Sequence, residues 1–303
     1  MARRLRLQFP HALYHVINRG NYRRPIFGTV GAAQAFATTL GEACERHAWR
    51  VHAYALIPNH FHVALETPEA NLVDGMHWLQ STFATRFNRF RDERGHLFQG
   101  RYQALLVENA AHLVRLINYI HLNPVRAGLV PAADMARFRW SSLARFVHGS
   151  RPPWLHAVTL LEQLGLADSP GGWENYLAQL ASLAAAPASR EEETREFCTG
   201  WAIGSSGWRK AVARDHSHLA LEVGIEAAEL REIKERRWLE LLATTLRELG
   251  KVQADIDTER KSVGWKIAIA RRLRQESGAP HRWIAQALNM GKPSSVRVYV
   301  CKN

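Results

Sequence analysis

The fold is decided by the stretch Leu56-Ile-Pro-Asn-His60-Phe-His62-Val-Ala-Leu-Glu66, in which two histidines flank one phenylalanine. Pro58-Asn59 is typical of a tight turn between two apolar runs, so the second run is predicted to return as an antiparallel strand. Side chains at i and i+2 leave the same face of a strand, so His60 and His62 are expected side by side, with Phe61 packed behind them. Two imidazoles spaced in this way can share a divalent metal ion when a third ligand arrives from elsewhere. The alternative is a pair of surface histidines on a half-buried strand.

Patterns on both sides of this hairpin predict the element order β-α-β-β-α-β-α. Alternating or β-branched runs indicate strands, and apolar residues at three- and four-residue spacing indicate helices. The order is typical of the ferredoxin-like fold, an α+β antiparallel sheet covered by helices mainly on one face. Pro124 is expected to kink or end the third helix. The predicted strands are 12–19, 49–57, 60–66 and 102–108, and the predicted helices are about 30–47, 71–90 and 110–122.

The chain beyond Gly128 is predicted to be mostly helical, with a helix near 173–184 and a linker at 185–193. The apolar pattern at the C-terminus predicts two short helices around the turn Asn289–Pro293, which is typical of a helix-turn-helix; an ordinary helical hairpin is the alternative. The expected regions are 1–130 as the α+β domain, 131–245 as a helical connecting region and 246–303 as a DNA-binding domain.

Charge favours a polyanionic partner for this chain of 303 residues. The net charge is +12, the pI is about 10.1, and arginine greatly outnumbers lysine. The planar guanidinium suits phosphate, so nucleic acid is a better candidate than a membrane surface, although an arginine-rich genome would give the same bias. No apolar run has the roughly 20 residues of a membrane span, and the basic N-terminus lacks the apolar core of a signal peptide. Three widely spaced cysteines exclude a cysteine-based zinc site and suit a reducing cytoplasm.

Tyr119 and Asn123 lie four residues apart, which places them on one face of the predicted third helix. A metal-assisted tyrosine nucleophile needs such a pair, because the amide oxygen can bind a hard metal ion while the hydroxyl attacks phosphorus. Two other interpretations stay open on these residues alone. Tyr119 fits a half-buried helix tyrosine, and Asn123-Pro124 fits the cap and first turn of a new helical segment.

Three separated blocks resemble one known family. His60-Phe61-His62, preceded by Leu56-Ile57-Pro58-Asn59, resembles the HUH motif of single-tyrosine HUH transposases, and the segment Tyr119 to Gly128 resembles the tyrosine helix of their REP-associated branch. The resemblance covers about residues 8–130 and implies the HUH nuclease fold, which agrees with the ferredoxin-like pattern. Supporting similarity is found in Tyr14–Gly20, Ile26-Phe27 and Leu97–Tyr102.

The resemblance implies a site and a reaction. It makes His60, His62 and Asn123 ligands of a divalent metal, Mg²⁺ or Mn²⁺, and Tyr119 the nucleophile that cleaves single-stranded DNA through a 5′-phosphotyrosine link. These donors would also suit Zn²⁺. Single-stranded or hairpin DNA is the implied substrate, and the family includes both monomers and homodimers. A non-catalytic DNA-binding regulator with the same fold is the alternative, and a replication or conjugation nickase would share the chemistry.

Further residues are expected to contact DNA or to serve the core. The C-terminal segment resembles the DNA-binding helices of the replication initiator DnaA and implies contacts with double-stranded DNA. Trp49, Trp78 and Phe90 are expected in the core, with stacking on bases as the alternative. His15, His47 and His52 are expected to be structural. The expected location is the bacterial cytoplasm, at the nucleoid. The predicted DNA-contacting residues are Arg19, Arg23, Arg24, Arg86 and Arg101 in the first region and Ser294, Ser295 and Arg297 in the last.

Overall fold

The structure is a computed structural model that describes residues 7–185, 190–215 and 231–301. The chain divides into two compact units, with the boundary between Ser205 and Ser206. The division at 130 and 245 that the sequence suggested stays a prediction. Across the described ranges, none of the helices is both long enough and apolar enough to cross a membrane.

The first unit is built on the predicted sheet. Its strands are β1 (Ala12–Arg19), β2 (Arg50–Ile57), β3 (His60–Thr67), β4 (Gln103–Val107) and β5 (Ala202–Ile203), in the order β2-β3-β1-β4-β5. The first four strands pair antiparallel, as predicted, and the α+β class is confirmed. The short β5 pairs parallel with β4 and was not predicted, since two apolar residues carry no alternation that a sequence pattern can show. The chain therefore returns to the edge of the sheet far downstream of the fourth strand.

Helices cover both faces of this sheet, whereas the sequence suggested mainly one. The predicted helices are present as α1 (Val30–His47), α2 (Leu72–Arg91) and α3 (Ala110–Arg126). Phe61 of β3 packs its ring 4.8 Å from Phe36 of α1, while its neighbour His62 points to the other face and lies 5.7 Å from Tyr119 of α3, measured between ring centroids. Because both faces are covered, β2 and β3 are buried along nearly their whole length.

The third helix does not end before Pro124, so the predicted end near residue 122 is wrong. It begins after Asn109, whose side chain accepts a hydrogen bond from the His112 amide at 3.1 Å, and it continues through Pro124 to Arg126. Pro124 removes one backbone donor close to the end of the helix, where few further turns depend on it. The same continuity overturns the interpretation of Asn123-Pro124 as the start of a new helical segment.

The remaining helices of the first unit follow the sheet-forming core. A helix was predicted near 173–184 and is found, but the linker predicted for 185–193 is partly wrong because residues from Arg190 onward are helical; residues 186–189 lie outside the described part. The helices are α4 (Ser142–Val147), α5 (Val158–Leu164), α6 (Pro170–Ala185) and α7 (Arg190–Cys198).

The second unit is helical, as expected. Its helices are α8 (Ser206–Asp215), α9 (Arg231–Glu248), α10 (Gln253–Thr258), α11 (Gly264–Ser277), α12 (His281–Ala287) and α13 (Pro293–Cys301). The predicted turn between α12 and α13 is present, and Asn289 adopts the left-handed conformation there with φ of 48°. Lys266 of α11 is fully buried, and its Nζ donates to the Ile256 and Glu259 carbonyls at 2.7 and 2.9 Å. The core of this unit is formed mainly by Trp238, Leu242, Ile256, Ile269, Leu273, Ile284, Leu288 and Val296.

Candidate active site

The two histidines of β3 share one face of the strand, as predicted. Their ring centroids lie 4.9 Å apart. Two imidazoles that bind one divalent ion at roughly 2.1 Å have centroids about 5 Å apart, so the rings are spaced for a shared ion. Within the described ranges, no group of three or more His, Cys, Asp and Glu side chains could hold a metal.

Both histidines are held through Nδ1. His62 Nδ1 lies 2.9 Å from His15 Nε2, and His15 Nδ1 lies 2.8 Å from the Phe197 carbonyl oxygen. His60 Nδ1 lies 2.7 Å from the side-chain oxygen of Asn59. Burial lowers the pKa of His15 to about 4, and burial with the Arg19 charge lowers the pKa of His60 to about 4. Burial, followed by the charges of His15, His60 and Arg19, lowers the pKa of His62 further, so all three rings are neutral near pH 7.

Tyr119 reaches this face of the sheet from α3. Its ring lies 5.7 Å from His62 and stacks on Phe197 of α7 at 4.8 Å, and only 7% of the residue is exposed. The hydroxyl lies 3.1 Å from the Cys198 sulfur. Burial and the Cys198 thiol raise the pKa of Tyr119, while the Asn123 side chain and the Arg126 charge act in the opposite direction. The structure therefore brings together His60, His62 and Tyr119.

Asn123 is buried beside Tyr119, one helical turn further along α3. Its side chain acts to lower the pKa of the Tyr119 hydroxyl and so favours the phenolate. The amide supplies a neutral oxygen donor of the kind that Mg²⁺ and Mn²⁺ accept. Two imidazoles and one amide therefore fit a divalent ion, and Asn123 is the candidate third ligand.

A chain of buried polar contacts fixes α3 in place. His121 Nδ1 lies 2.8 Å from the Tyr176 hydroxyl, and His121 Nε2 lies 2.8 Å from Ser142 Oγ. The Tyr176 hydroxyl donates to the Asn118 side-chain oxygen at 2.9 Å, and the Tyr54 amide of β2 donates to Ser142 Oγ at 2.9 Å. These contacts tie α3 to α6 and β2. Buried polar groups are costly to leave unpaired, so these hydrogen bonds hold in place the turn of α3 that carries Tyr119.

The arginines of the first unit that were predicted to contact phosphate are either exposed or paired with a glutamate. Arg19 and Arg23 are exposed, and the charge of Arg19 reaches His60 and His62, which places Arg19 beside the site. Arg24 pairs with Glu93, and Arg86 pairs with Glu42 at 2.8 Å. Arg101 is exposed on the segment before β4, and Ser294, Ser295 and Arg297 lie in the first turns of α13 in the second unit.

Three residues of the site were missed or misread in the sequence. His15 was expected to be structural but contacts His62, and Phe197 and Cys198 of α7 lie against Tyr119. His15 could have been placed near the site from the sequence, because side chains alternate along β1 and His15 faces the opposite way from its two neighbours. For Phe197 and Cys198 no signal existed, because only the return of the chain to β5 brings them near. Among the aromatic residues, Trp49 is buried as expected, whereas Phe90 is 83% exposed and the core prediction for it is wrong.

Residues 8–123 match the model of the family described as "Transposase IS200 like". For these residues the match agrees with the family resemblance inferred from the sequence. No curated protein matches the chain.

Two solved structures are similar to the chain. One is a REP-associated tyrosine transposase bound to a REP hairpin, with 18% identity and a TM-score of 0.40, covering 52% of this chain and 90% of that one. The other is a protein of Deinococcus radiodurans R1 provisionally described as a transposase, with 20% identity and a TM-score of 0.29, covering 39% of this chain and 95% of that one.

Proposed function

We propose that the first unit cleaves and rejoins single-stranded DNA with Tyr119 as nucleophile and a divalent ion held by His60, His62 and Asn123. The observation that carries the proposal is the position of Tyr119, whose ring lies 5.7 Å from His62 while His62 and His60 lie 4.9 Å apart. A phenol beside two neutral imidazoles and an amide is a suitable set for metal-assisted attack on a phosphodiester.

The chemical step is a transesterification. The Tyr119 oxygen forms a bond to the scissile phosphorus while the bond from phosphorus to the 3′ oxygen breaks. The hydroxyl proton is lost from Tyr119 and the departing oxygen takes up a proton, which leaves a 5′-phosphotyrosine link and a free 3′ hydroxyl. One ester replaces another, so a second 3′ hydroxyl can reverse the step without a nucleotide cofactor.

This chain's residues prepare the nucleophile in two ways. The Asn123 side chain and the charge of Arg126, whose Cζ lies 5.2 Å from the Tyr119 ring centroid, both favour the phenolate. Burial opposes ionisation; a divalent ion held by His60, His62 and Asn123 would offset this cost and would stabilise the charge that develops on the phosphate. Arg19, exposed beside the histidines, is placed to contact the DNA backbone.

The proposed substrate is single-stranded DNA, with a hairpin as its structured part. A net charge of +12 supports binding to a polyanion. The dissociation constant is expected to rise steeply with salt, with a slope of about 0.7 per neutralised phosphate on a log–log plot for a single strand. The hairpin and the REP-associated branch rest on the resemblance of Tyr119 to Gly128 in the sequence.

The test compares wild type with Tyr119→Phe on an end-labelled single-stranded oligonucleotide that contains a hairpin, in Mn²⁺. Wild type is expected to give protein-linked DNA on a denaturing gel, and Tyr119→Phe to give none. Tyr14→Phe is a matched control, because Tyr14 is a buried tyrosine of β1 whose hydroxyl donates to the Leu7 carbonyl at 3.0 Å, outside the site. A covalent adduct with Tyr119→Phe would exclude Tyr119 as the nucleophile.

One observation favours a non-catalytic DNA-binding regulator as the second candidate. Phe197 covers the Tyr119 ring and Cys198 engages its hydroxyl, so the nucleophile is 7% exposed. If the purified protein binds hairpin DNA with a steep salt dependence but forms no adduct with any divalent metal, the regulator is the better description.

For the second unit we propose binding to double-stranded DNA through α13. Two short helices meet at the turn around Asn289, and Ser294, Ser295 and Arg297 lie at the start of the second helix. Arg297→Ala is expected to weaken duplex binding and to lower the salt slope by about one. Arg272→Ala is the control, since Arg272 pairs with Glu276 at 2.9 Å within α11.

A further inference from the structure

We propose that His15 is a positioning residue that fixes the tautomer and the ring orientation of His62, so that His62 Nε2 presents its lone pair to the metal. The inference rests on the proposed metal-dependent function and adds a residue to it. It is carried by an unbroken hydrogen-bond chain that runs from the Phe197 carbonyl through His15 to His62.

The direction of this chain follows from its first member. A carbonyl oxygen can only accept, so the 2.8 Å contact with Phe197 places a proton on His15 Nδ1. The neutral His15 ring then has a lone pair on Nε2 and accepts from His62 Nδ1 at 2.9 Å. His62 in turn carries its proton on Nδ1. Its Nε2 is left unprotonated, which is the state that a metal ligand requires.

His60 is held in the same state by a different partner. Its Nδ1 lies 2.7 Å from the Asn59 side-chain oxygen, an acceptor, so the proton is on Nδ1 and the lone pair is on Nε2. Both histidines therefore carry the same tautomer through independent contacts. Two histidines with lone pairs on Nε2 and ring centroids 4.9 Å apart are prepared as a pair before any ion binds.

Burial makes the His15 contact effective. His15 and His62 are almost fully buried and their ring centroids lie 5.1 Å apart, so water cannot easily take the place of either partner. The carbonyl that starts the chain belongs to α7, which is held against α3 by an ion pair between Arg115 and Glu196 at 2.8 Å. The metal ligand on β3 is thus oriented by a residue on β1, and that residue by a helix far along the chain.

The energetic consequence is a specific loss of metal affinity. Residues that hydrogen-bond a ligating histidine are typically worth 10- to 100-fold in metal affinity. His15→Leu removes the acceptor and is expected to weaken Mn²⁺ binding by this factor. His15→Gln keeps an oxygen that can accept from His62 Nδ1, so it is expected to retain most of the affinity.

The experiment measures Mn²⁺ affinity by calorimetry or electron paramagnetic resonance, together with the imidazole ¹⁵N shifts of His62 in metal-free, histidine-labelled protein. Wild type is expected to show a protonated Nδ1 and an unprotonated Nε2 on His62, whereas His15→Leu is expected to show a mixture of tautomers. His52→Leu is the matched control, because His52 is a buried histidine of β2 outside the site.

Each outcome decides one question. A proton on His62 Nε2 in wild type, or an unchanged Mn²⁺ affinity in His15→Leu, overturns the role of His15 and leaves the metal site standing. Wild type that binds no Mn²⁺ overturns the metal-dependent function and the inference with it. If His15→Leu does not fold, two measurements still test the role of His15: the tautomer of His62 in wild type and the Mn²⁺ affinity of His15→Gln. A proton on His62 Nδ1 together with retained Mn²⁺ affinity in His15→Gln supports the role. Any other result contradicts it.

Discussion

The hydroxyl of Tyr119 lies 3.1 Å from the sulfur of Cys198, a residue 79 positions later in the chain. Phe197, the preceding residue, stacks on the same tyrosine ring at 4.8 Å and accepts the hydrogen bond from His15. The end of α7 therefore contacts Tyr119, the proposed nucleophile, and His15, which hydrogen-bonds the proposed metal ligand His62. In the proposed reaction, a DNA phosphate has to displace the Cys198 thiol before Tyr119 can attack the phosphorus.

Cys198→Ala is expected to speed covalent adduct formation by about twofold to tenfold. The variant removes a hydrogen bond worth about 0.5–1.5 kcal/mol that the resting tyrosine must give up. The measurement is the rate of protein–DNA adduct formation on a single-stranded hairpin substrate. Cys198→Ser is the control, because its hydroxyl can still bond Tyr119, and its rate should stay near that of wild type. A slower Cys198→Ala would mean instead that the thiol assists the reaction.

Phe61→Ala is expected to destabilise the first unit by about 3–5 kcal/mol, the usual cost of emptying a fully buried phenylalanine site. The Phe61 ring is fully buried and lies 4.8 Å from Phe36 and 6.2 Å from Phe98. Urea unfolding followed by circular dichroism measures the change. Phe90→Ala provides the comparison, since this phenylalanine is 83% exposed and its loss should cost no more than about 0.5 kcal/mol. Equal effects of the two substitutions would contradict the packing described for β3.

The stability of the first unit is expected to fall in acid partly because of Glu66. The His52 ring, whose Nε2 lies 3.7 Å from the carboxylate, contributes most to lowering the pKa of Glu66 from 4.5 to about 2, and His11 and Arg50 add to it. A lowered carboxylate pKa stabilises the folded state above the unfolded pKa, and this contribution is lost as the pH falls from about 4.5 through 2.

Glu66→Gln should therefore lose stability at pH 6 but show a flatter pH dependence than wild type below pH 4.5. The free energy of unfolding is measured in urea at several pH values across this window. Glu69→Gln is the matched control, as Glu69 is exposed on the turn after β3. If Glu66→Gln and wild type have parallel pH profiles, the ion pairs around Glu66 do not stabilise the fold.

The parts of the site that the sequence predicted are those set by local periodicity. His60 and His62 share a face because a strand alternates, and Tyr119 and Asn123 share a face because a helix repeats every 3.6 residues. The turn at Pro58-Asn59 determined the hairpin, and the hairpin determined which face carries the histidines. For these residues the sequence spacing was sufficient, and the family resemblance added their roles.

The rest depends on contacts between distant parts of the chain. His15 meets His62 because β1 pairs with β3, and Phe197 meets His15 across 182 residues because α7 and β5 return to the sheet. A two-residue strand has no alternation to detect, and a helix that passes through Pro124 runs against the local preference. Such features follow from tertiary packing, which no single segment of the sequence encodes.

The loop before α1 carries an exposed aromatic residue next to the proposed site. Tyr22 is 93% exposed and adopts a left-handed conformation with φ of 52°, followed by Arg23 with φ of 59°. The loop is tied to the histidine hairpin, because the Gly20 amide donates to the Asn59 carbonyl at 2.8 Å. A Cβ at Gly20 would lie 2.3 Å from the Arg24 carbonyl oxygen, so only glycine allows this tight path.

Tyr22→Ala is expected to weaken binding of single-stranded DNA by the value of one stacked base, about 1–3 kcal/mol. An unpaired base can stack on the exposed ring, and the surrounding loop holds it in a left-handed backbone conformation that costs about 1–2 kcal/mol per residue. Fluorescence anisotropy with a labelled oligonucleotide measures the affinity, and Tyr22→Phe, which keeps the ring, should bind as wild type does. Val158→Ala on α5 controls for the loss of an exposed apolar side chain. Equal binding by Tyr22→Ala and wild type would show that the ring contacts no base, because a stacked base cannot be lost without a measurable change in affinity.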